Sequence, residues 1–232
     1  MDNESQNLFG KAIGHLIHDI RNPLNVIVGF SSIIKGDADL PEETRDYLNK
    51  IYYSGIMIED MLSDIDAYLY DNLEFSKESV DISGLLNKSF EIKDIIYPDS
   101  KIKFCLVNKD TANVEISALI LKKIIDNLYT FSRKGLRTVS VKDILIMYEV
   151  EGEYLRIIYS DSGQSVESTD DYFSYEDIIN AKRGLGLLFV KKYIEITDSK
   201  IVYLKGSEWQ SYINRIGLDF DTEHGFVIKY KL

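Results

Sequence analysis

Two successive segments of this chain carry apolar residues at alternating steps of three and four. In the first segment the repeat falls at positions 13, 17, 20, 24, 27, 31 and 34, and all of these except Ser31 are isoleucine or leucine. In the second segment the repeat falls at Leu48, Ile51, Gly55, Ile58, Leu62, Ile65 and Leu69. This spacing is typical of long helices that pack in bundles or coiled coils. It therefore predicts two such helices.

The connection between the two predicted helices is short. Residues 36–41 read Gly-Asp-Ala-Asp-Leu-Pro, which favours a turn, and Glu42 and Glu43 suit the start of a helix. Two helices joined so tightly form an antiparallel hairpin. One hairpin leaves part of its apolar seam uncovered, so we predict a homodimer that forms a four-helix bundle.

The pattern changes near residue 74, where we place a domain boundary. Residues 1–73 form the predicted hairpin domain, and residues 74–232 mix helical and strand patterns. In this second domain we predict helices over 83–96, 117–134 and 186–196 and strands over 102–107, 141–150, 154–159, 200–204 and 226–232. The inner side of the middle helix is expected to carry Leu119, Ile120, Ile124 and Leu128. Helices packed on one face of a mixed sheet give an α+β two-layer sandwich.

Composition and charge exclude several classes of function. With 38 acidic and 27 basic residues, the chain has a net charge of -11, which argues against nucleic acid as a partner. Charged residues interrupt every apolar run before it reaches membrane-spanning length, and the N-terminus lacks a secretory pattern, so we predict a cytoplasmic protein. Cys105 is the single cysteine and lies in an apolar run, which predicts a buried thiol. We predict no metal site, because the pair His15 and His18 has no third histidine nearby.

The first helix contains the run His18-Asp-Ile-Arg-Asn-Pro-Leu24. His18 falls one position past the seam, on an outward flank that other proteins can reach. Asp19 can hydrogen-bond one imidazole nitrogen and raise the basicity of the other. Asn22 lies one turn further on the same face, where it can position a water or an acceptor carboxylate. Pro23 leaves the Asp19 carbonyl without its helical donor and bends the helix beside the site.

This run resembles the H-box of the histidine kinases, in which a histidine is followed by an acidic residue, a polar residue at plus four and a proline at plus five. The resemblance implies that His18 is the phosphoacceptor and that Asp19 assists autophosphorylation. It also implies that Asn22 serves the dephosphorylation of a response-regulator receiver domain, the expected partner. His15 and His224 lack this context, and we predict an ordinary helix residue and an ordinary turn residue, respectively.

Residues 74–232 resemble the Bergerat-type (GHKL) ATPase domain of the same kinases over nearly their whole length. That family has an asparagine-rich helix, an Asp-x-Gly-x-Gly turn for adenine, and a Gly-x-Gly-Leu-Gly-Leu turn that opens a helix under the phosphates. The resemblance implies cofactor-binding roles for Asn127, Lys134, Asp161, Gly163, Gly184 and Gly186.

All three boxes depart from the family pattern. Phe131 stands where a magnesium-binding asparagine is expected, and a phenyl ring offers no oxygen to a hard cation. Ser165 replaces the second glycine of the adenine turn, and Lys182 replaces the first glycine of the phosphate turn. The segment 164–183, the expected lid, carries acids that repel a triphosphate unless a cation intervenes. The resemblance therefore implies ATP and Mg²⁺ as ligands, but these three boxes support their binding only in part.

Three functions are compatible with these residues. The first is a phosphorelay histidine phosphotransferase, in which His18 exchanges a phosphoryl group with response-regulator aspartates and the ATPase-like domain is a docking surface. The second is an ATP-dependent histidine kinase whose divergent boxes still work. The third is a non-catalytic dimer that binds a receiver domain and transfers nothing.

Overall fold

The computed structural model describes residues 3–37, 39–70, 75–108, 113–166, 185–218 and 220–232. The chain divides into two compact units. The first comprises Met1–Glu74 with Ile92–Pro98, and the second comprises Phe75–Glu91 with Asp99–Leu232. The short segment Ile92–Pro98 thus groups with the first unit, which the sequence pattern does not indicate.

The first unit contains the predicted helical hairpin. Helix α1 spans Asn3–Lys35 and helix α2 spans Glu42–Tyr70. Their common core is formed by Ile17, Leu24 and Leu62, surrounded by Ile13, Val28, Ile65 and Leu69. Gly55 permits this close packing, because a Cβ atom there would lie 2.5 Å from Cγ2 of Val28.

The apolar seam of α1 divides into two faces. The buried face carries Ile17, Leu24 and Ser31, and the exposed face carries Leu16, Ile20, Ile27, Phe30 and Ile34. Each residue of a helix is rotated by about 100° from the last, so a repeat of three and four covers a wide stripe of which α2 contacts one side. The second side stays apolar and exposed in the single chain. None of the helices among the described residues combines the length and the apolar content needed to cross a membrane.

The second unit is built on a mixed β-sheet. Strands β1 (Glu78–Val80) and β3 (Val114–Ile116) form a separate antiparallel pair. The main sheet contains β2 (Lys103–Asn108), β4 (Asp143–Glu151), β5 (Tyr154–Asp161), β6 (Lys200–Lys205) and β7 (His224–Lys231). Its strand order is β2-β4-β5-β7-β6, with β2 and β4 parallel and the other neighbours antiparallel.

Three helices of the second part of the chain match the predicted ones. They are α3 (Ile82–Ile96), α4 (Ala118–Gly135) and α5 (Gly186–Ile196). Helix α4 packs on the sheet through Phe131, whose ring meets that of Phe226 edge to face with centroids 5.8 Å apart. Ile120, Ile124 and Leu128 are fully buried as expected, but the prediction for Leu119 is wrong, since it is largely exposed. The turn of about 100° per residue places Leu119 on the far side of α4.

A further helix covers the opposite face of the sheet. Helix α6 spans Gly206–Arg215 and places Trp209 and Ile213 in a cluster with Met147, Ile158 and Val227. Val227 and Phe226 are consecutive in β7 and therefore point to opposite faces. The α+β class is confirmed, and this short helix adds a small third layer. The sequence does not reveal α6, because only Trp209 and Ile213 of its ten residues are buried.

The prediction that Cys105 is buried is wrong. Cys105 is exposed in β2, which is an edge strand with β4 as its one neighbour in the sheet. An apolar run predicts a strand, but at a sheet edge it does not decide which side chains are covered.

Candidate functional site

The H-box run lies in the middle of α1. The side chains of His18 and Asp19 are 72% and 77% exposed, and Nδ1 of His18 lies 3.5 Å from Oδ1 of Asp19. Asn22, one turn further along α1, is also exposed. Because Asp19 faces Nδ1, the nitrogen that remains open to an incoming electrophile is Nε2.

His18 points away from both apolar faces of α1. Its neighbour Ile17 is buried against α2, and Ile20 and Ile27 lie on the exposed apolar face. The rotation of about 100° per residue places position 18 on the side of the helix opposite to this second face. A partner that covers Ile20 and Ile27 therefore leaves His18 accessible.

The turn of α1 next to His18 is attached to α2 by Arg21. Its Nε donates to Oε1 of Glu59 at 2.7 Å, and its Nη2 donates to Oδ2 of Asp66 at 3.0 Å. Burial lowers the pKa of Arg21, but the hydrogen bonds with Asp66 and Glu59 outweigh it and raise the pKa above its ordinary value. The predicted site residues His18, Asp19 and Asn22 therefore stand on a helix that is tied to its neighbour by charge.

In the second unit, Asp161 is the centre of a buried polar cluster. Ser132 Oγ in α4 donates to Oδ2 of Asp161 at 2.5 Å, and the Gly163 N–H donates to Oδ1 at 2.8 Å. Nε2 of His224 lies 3.5 Å from the same Oδ1. Burial raises the pKa of Asp161, but His224, Ser132 and the Gly163 N–H together hold it below its ordinary value.

The prediction that His224 is an ordinary turn residue is wrong. It begins β7 and is 1% exposed. Within the described residues neither of its ring nitrogens has a hydrogen-bond partner, and its ring lies 5.6 Å from that of Tyr203. The sequence carries no signal for this position, because β5 and β7 become neighbours only when the sheet forms.

The structure also brings Asn127 and Gly186 together. A Cβ atom on Gly186 would lie 3.1 Å from the backbone oxygen and 3.2 Å from Oδ1 of Asn127, so glycine lets the start of α5 approach α4 closely. The Asn127 amide donates to the Lys123 carbonyl at 2.9 Å. Lys134 is half-buried, and its pKa is lowered first by burial and then by its arginine neighbours. Gly184, Lys182 and nearly all of the expected lid lie outside the described residues.

Residues 10–69 match the His Kinase A (phospho-acceptor) domain. The chain is 28% identical over 223 residues to the sensor protein GacS of Pseudomonas syringae pv. syringae, with 85% of this chain and 24% of that protein covered. It thus spans about a quarter of the length of GacS and of the sensor protein KdpD of Clostridium acetobutylicum. The chain is thus similar to the core of two-component histidine kinases, with the phospho-acceptor match in its first part.

Solved structures show the same fold for this kinase core. The Acinetobacter baumannii histidine kinase AdeS matches with a TM-score of 0.54 and 18% identity, over 92% of this chain and 97% of that one. Full-length ShkA in complex with AMPPNP matches with a TM-score of 0.54 and 18% identity, over 96% of this chain and 46% of that one. The predicted fold, a helical hairpin followed by a Bergerat-type sheet domain, is therefore confirmed.

The nucleotide boxes fit Mg-ATP poorly at two positions, the magnesium position and the adenine turn. Phe131 is 2% exposed and belongs to the packing of α4 on the sheet, so this position supplies no oxygen ligand. Both carboxylate oxygens of Asp161 already have partners inside the protein. The contact between Asn127 and Gly186 does not by itself indicate a nucleotide, because the close packing of α5 on α4 also requires it.

We expect Asp161→Asn to lower the free energy of unfolding at neutral pH by about 1–3 kcal/mol, because it weakens a buried, charge-assisted network. The folded-state pKa of Asp161 is lowered, so its stabilisation is complete above the unfolded-state pKa and is lost as the pH falls through the folded-state pKa. Wild type should therefore lose more stability in acid than the variant. Urea unfolding followed by the fluorescence of Trp209, the single tryptophan, measures both effects.

Asp198→Asn is the matched control for this experiment. Asp198 binds Lys231 at 2.6 Å and has a lowered pKa, for which the Lys231 hydrogen bond is the main cause, but it is exposed. Its effect should be small and should disappear in high salt. Equal effects of the two variants, or the same acid dependence in Asp161→Asn and wild type, would contradict a stabilising role for the buried cluster.

Proposed function

We propose that this chain is a phosphorelay signalling protein that carries a phosphoryl group on His18 and exchanges it with the aspartate of a response-regulator receiver domain. The observation that carries this proposal is the exposed His18 within the segment that matches the phospho-acceptor domain, with Asp19 against its Nδ1. Asn22 stands on the same side of α1, where it can orient the carboxylate of the receiver or a water.

The proposed step is a direct phosphoryl transfer. The bond between phosphorus and an aspartyl oxygen of the receiver breaks, and a bond between phosphorus and Nε2 of His18 forms. The aspartate leaves as a carboxylate, and the Nδ1 proton of the neutral imidazole stays on the ring. Asp19 stabilises the positive charge that the ring acquires. The reverse step passes the phosphoryl group to a second receiver, and the divalent cation of the receiver neutralises the charge on the moving group.

We expect His18→Gln to abolish labelling of the full chain by a radiolabelled, phosphorylated receiver. Glutamine has no nucleophilic nitrogen, so no phosphoramidate bond forms. His15→Gln is the matched control, since His15 is exposed on the same helix one turn earlier. Labelling is measured by autoradiography after short incubation, and acid lability of the label distinguishes phosphohistidine from phosphoserine.

Two results would overturn the phosphotransfer proposal. In the first, His18→Gln retains the label while His15→Gln loses it, which would place the acceptor at His15. In the second, a panel of phosphorylated receivers binds the full chain but none transfers to it. That outcome would favour the non-catalytic, receiver-binding dimer.

We also propose that the two domains divide at residue 74 and that the hairpin forms a homodimer. The support for the homodimer is the exposed apolar face of α1, and α2 also has exposed apolar side chains at Ile51, Ile58 and Met61. A face of this length is costly to leave in water, at roughly 25 cal/mol for each Å² of apolar surface. A second hairpin of the same sequence presents the same face and buries it in a four-helix bundle.

Ile27→Asp should convert this dimer into monomers, because it places a charge in the middle of the apolar face. Ser32→Asp adds the same charge to an exposed position of α1 outside that face, and this variant should remain dimeric. Sedimentation equilibrium gives the association state of each variant. A monomeric wild type, or a dimeric Ile27→Asp, would show that the exposed face does not mediate association.

ATP-dependent autophosphorylation is the second candidate function. The contact between Asn127 and Gly186 and the Asp161–Gly163 turn favour it, because both preserve parts of the nucleotide boxes. The name of a relative points the same way, since the GacS of Pseudomonas protegens is called a sensor histidine kinase. ShkA, a protein of the same fold, has been crystallised with AMPPNP.

Calorimetric titration of the full chain with Mg-ATP separates the two candidates. For a phosphotransferase we expect no binding heat at millimolar nucleotide, because Phe131 supplies no ligand and the oxygens of Asp161 have internal partners. Saturable binding, together with label from ATP on His18 in wild type and none in His18→Gln, would instead establish a kinase with divergent boxes.

A further inference from the structure

The ion pairs of Arg21 lie in the turn of α1 from which Pro23 removes a helical hydrogen bond. Pro23 has no N–H, so the carbonyl of Asp19 has no donor four residues on. Arg21 lies midway between these two residues. The backbone next to His18 thus lacks one of the hydrogen bonds that hold a helix straight, and its direction depends more on contacts outside the helix.

Arg21 provides such a contact at two points of α2. Its two carboxylate partners, Glu59 and Asp66, are seven residues apart, which is two helical turns or about 10 Å along α2. One guanidinium group bridges them from two different nitrogens. If α1 slides or rotates at this level, at least one of the two hydrogen bonds is lost.

The bridge also holds together two groups that repel each other. Glu59 and Asp66 are about two-thirds buried, and Oε2 of Glu59 is buried without a hydrogen-bond partner among the described residues. Without Arg21, two like charges would remain on one face of α2 at the level of the H-box. Lysine is a poor substitute, because its single ammonium group cannot span both carboxylates.

We propose that Arg21 is a positioning residue for phosphoryl transfer, which fixes the register of α1 on α2 and thereby the direction in which His18 presents Nε2. This inference rests on the proposed role of His18 as acceptor. Arg21 acts through the backbone of the Pro23 turn and does not touch the phosphoryl group.

The test compares Arg21→Gln, Arg21→Lys and the double variant Glu59→Gln/Asp66→Asn in the full chain. Single-turnover transfer from a phosphorylated receiver gives the maximal rate and the receiver concentration at half-maximal rate. We expect Arg21→Gln to lower the maximal rate about tenfold, since small misplacements of a reacting group are costly, with the half-maximal concentration unchanged. The double variant should reproduce this loss although it retains Arg21, and Arg21→Lys should recover part of the rate.

Arg45→Gln is the control. Arg45 ties the hairpin loop through the Asp37 carbonyl at 3.2 Å, far along α2 from the H-box, and its loss should leave the transfer rate unchanged. Thermal melts followed by circular dichroism identify any variant that has lost the fold. Transfer by folded Arg21→Gln at the wild-type rate would overturn the proposal, and so would an equal loss in Arg45→Gln.

A second measurement does not depend on the receiver. ¹⁵N spectra of the His18 ring report its surroundings, and phosphoramidate, a small phosphoryl donor, phosphorylates accessible histidines with release of ammonia. We expect the ring signals and the phosphoramidate rate to change in Arg21→Gln and to stay unchanged in Arg45→Gln. If no receiver phosphorylates wild type but these changes appear, the proposed function fails and the positioning role stands. Unchanged ring signals and an unchanged phosphoramidate rate overturn the positioning role.

Discussion

The apolar stripe of α1 is the constraint on which the rest of the hairpin depends. It is wider than one neighbouring helix can cover, so Ile17 and Leu24 are buried against α2 while Ile20 and Ile27 remain exposed. Position 18 lies on the side of α1 opposite this exposed apolar face. His18 is exposed there, with Asp19 and Asn22 close by, so a helix that packs on α2 still presents its imidazole to solvent.

The sequence predicts the hairpin and the order of helices and strands well, because these follow from local periodicity. It does not show which apolar residues of α1 are buried against α2 and which are exposed, because both sets belong to the same repeat of three and four. It misses α6, whose contribution to the core is made by Trp209 and Ile213 alone. It also misplaces Leu119 and Cys105, whose exposure depends on which elements lie above them and not on their own neighbours in sequence.

The buried cluster around Asp161 was only half visible in the sequence. Asp161 and Gly163 stand out as a turn motif, but Ser132 and His224 come from α4 and β7 and reach the carboxylate only in the folded chain. For the same reason the roles of Glu59 and Asp66 were not predicted, because an ion pair between separate helices has no periodic signature. A motif of neighbouring residues can thus be predicted from the sequence, but its hydrogen-bond and ion-pair partners from distant segments cannot.

The candidate site residues of the two units lie in opposite environments. In the hairpin, His18 and Asp19 are exposed, and the neighbouring Arg21 is partly covered and bound to two carboxylates. In the sheet unit, Asp161 and His224 are buried, and the carboxylate is bound by protein donors. An exposed nucleophile can meet a macromolecular donor without any change in the fold. The Asp161 carboxylate, by contrast, already accepts hydrogen bonds from Ser132 and Gly163, so any ligand at this position has to share its oxygens with donors of the fold.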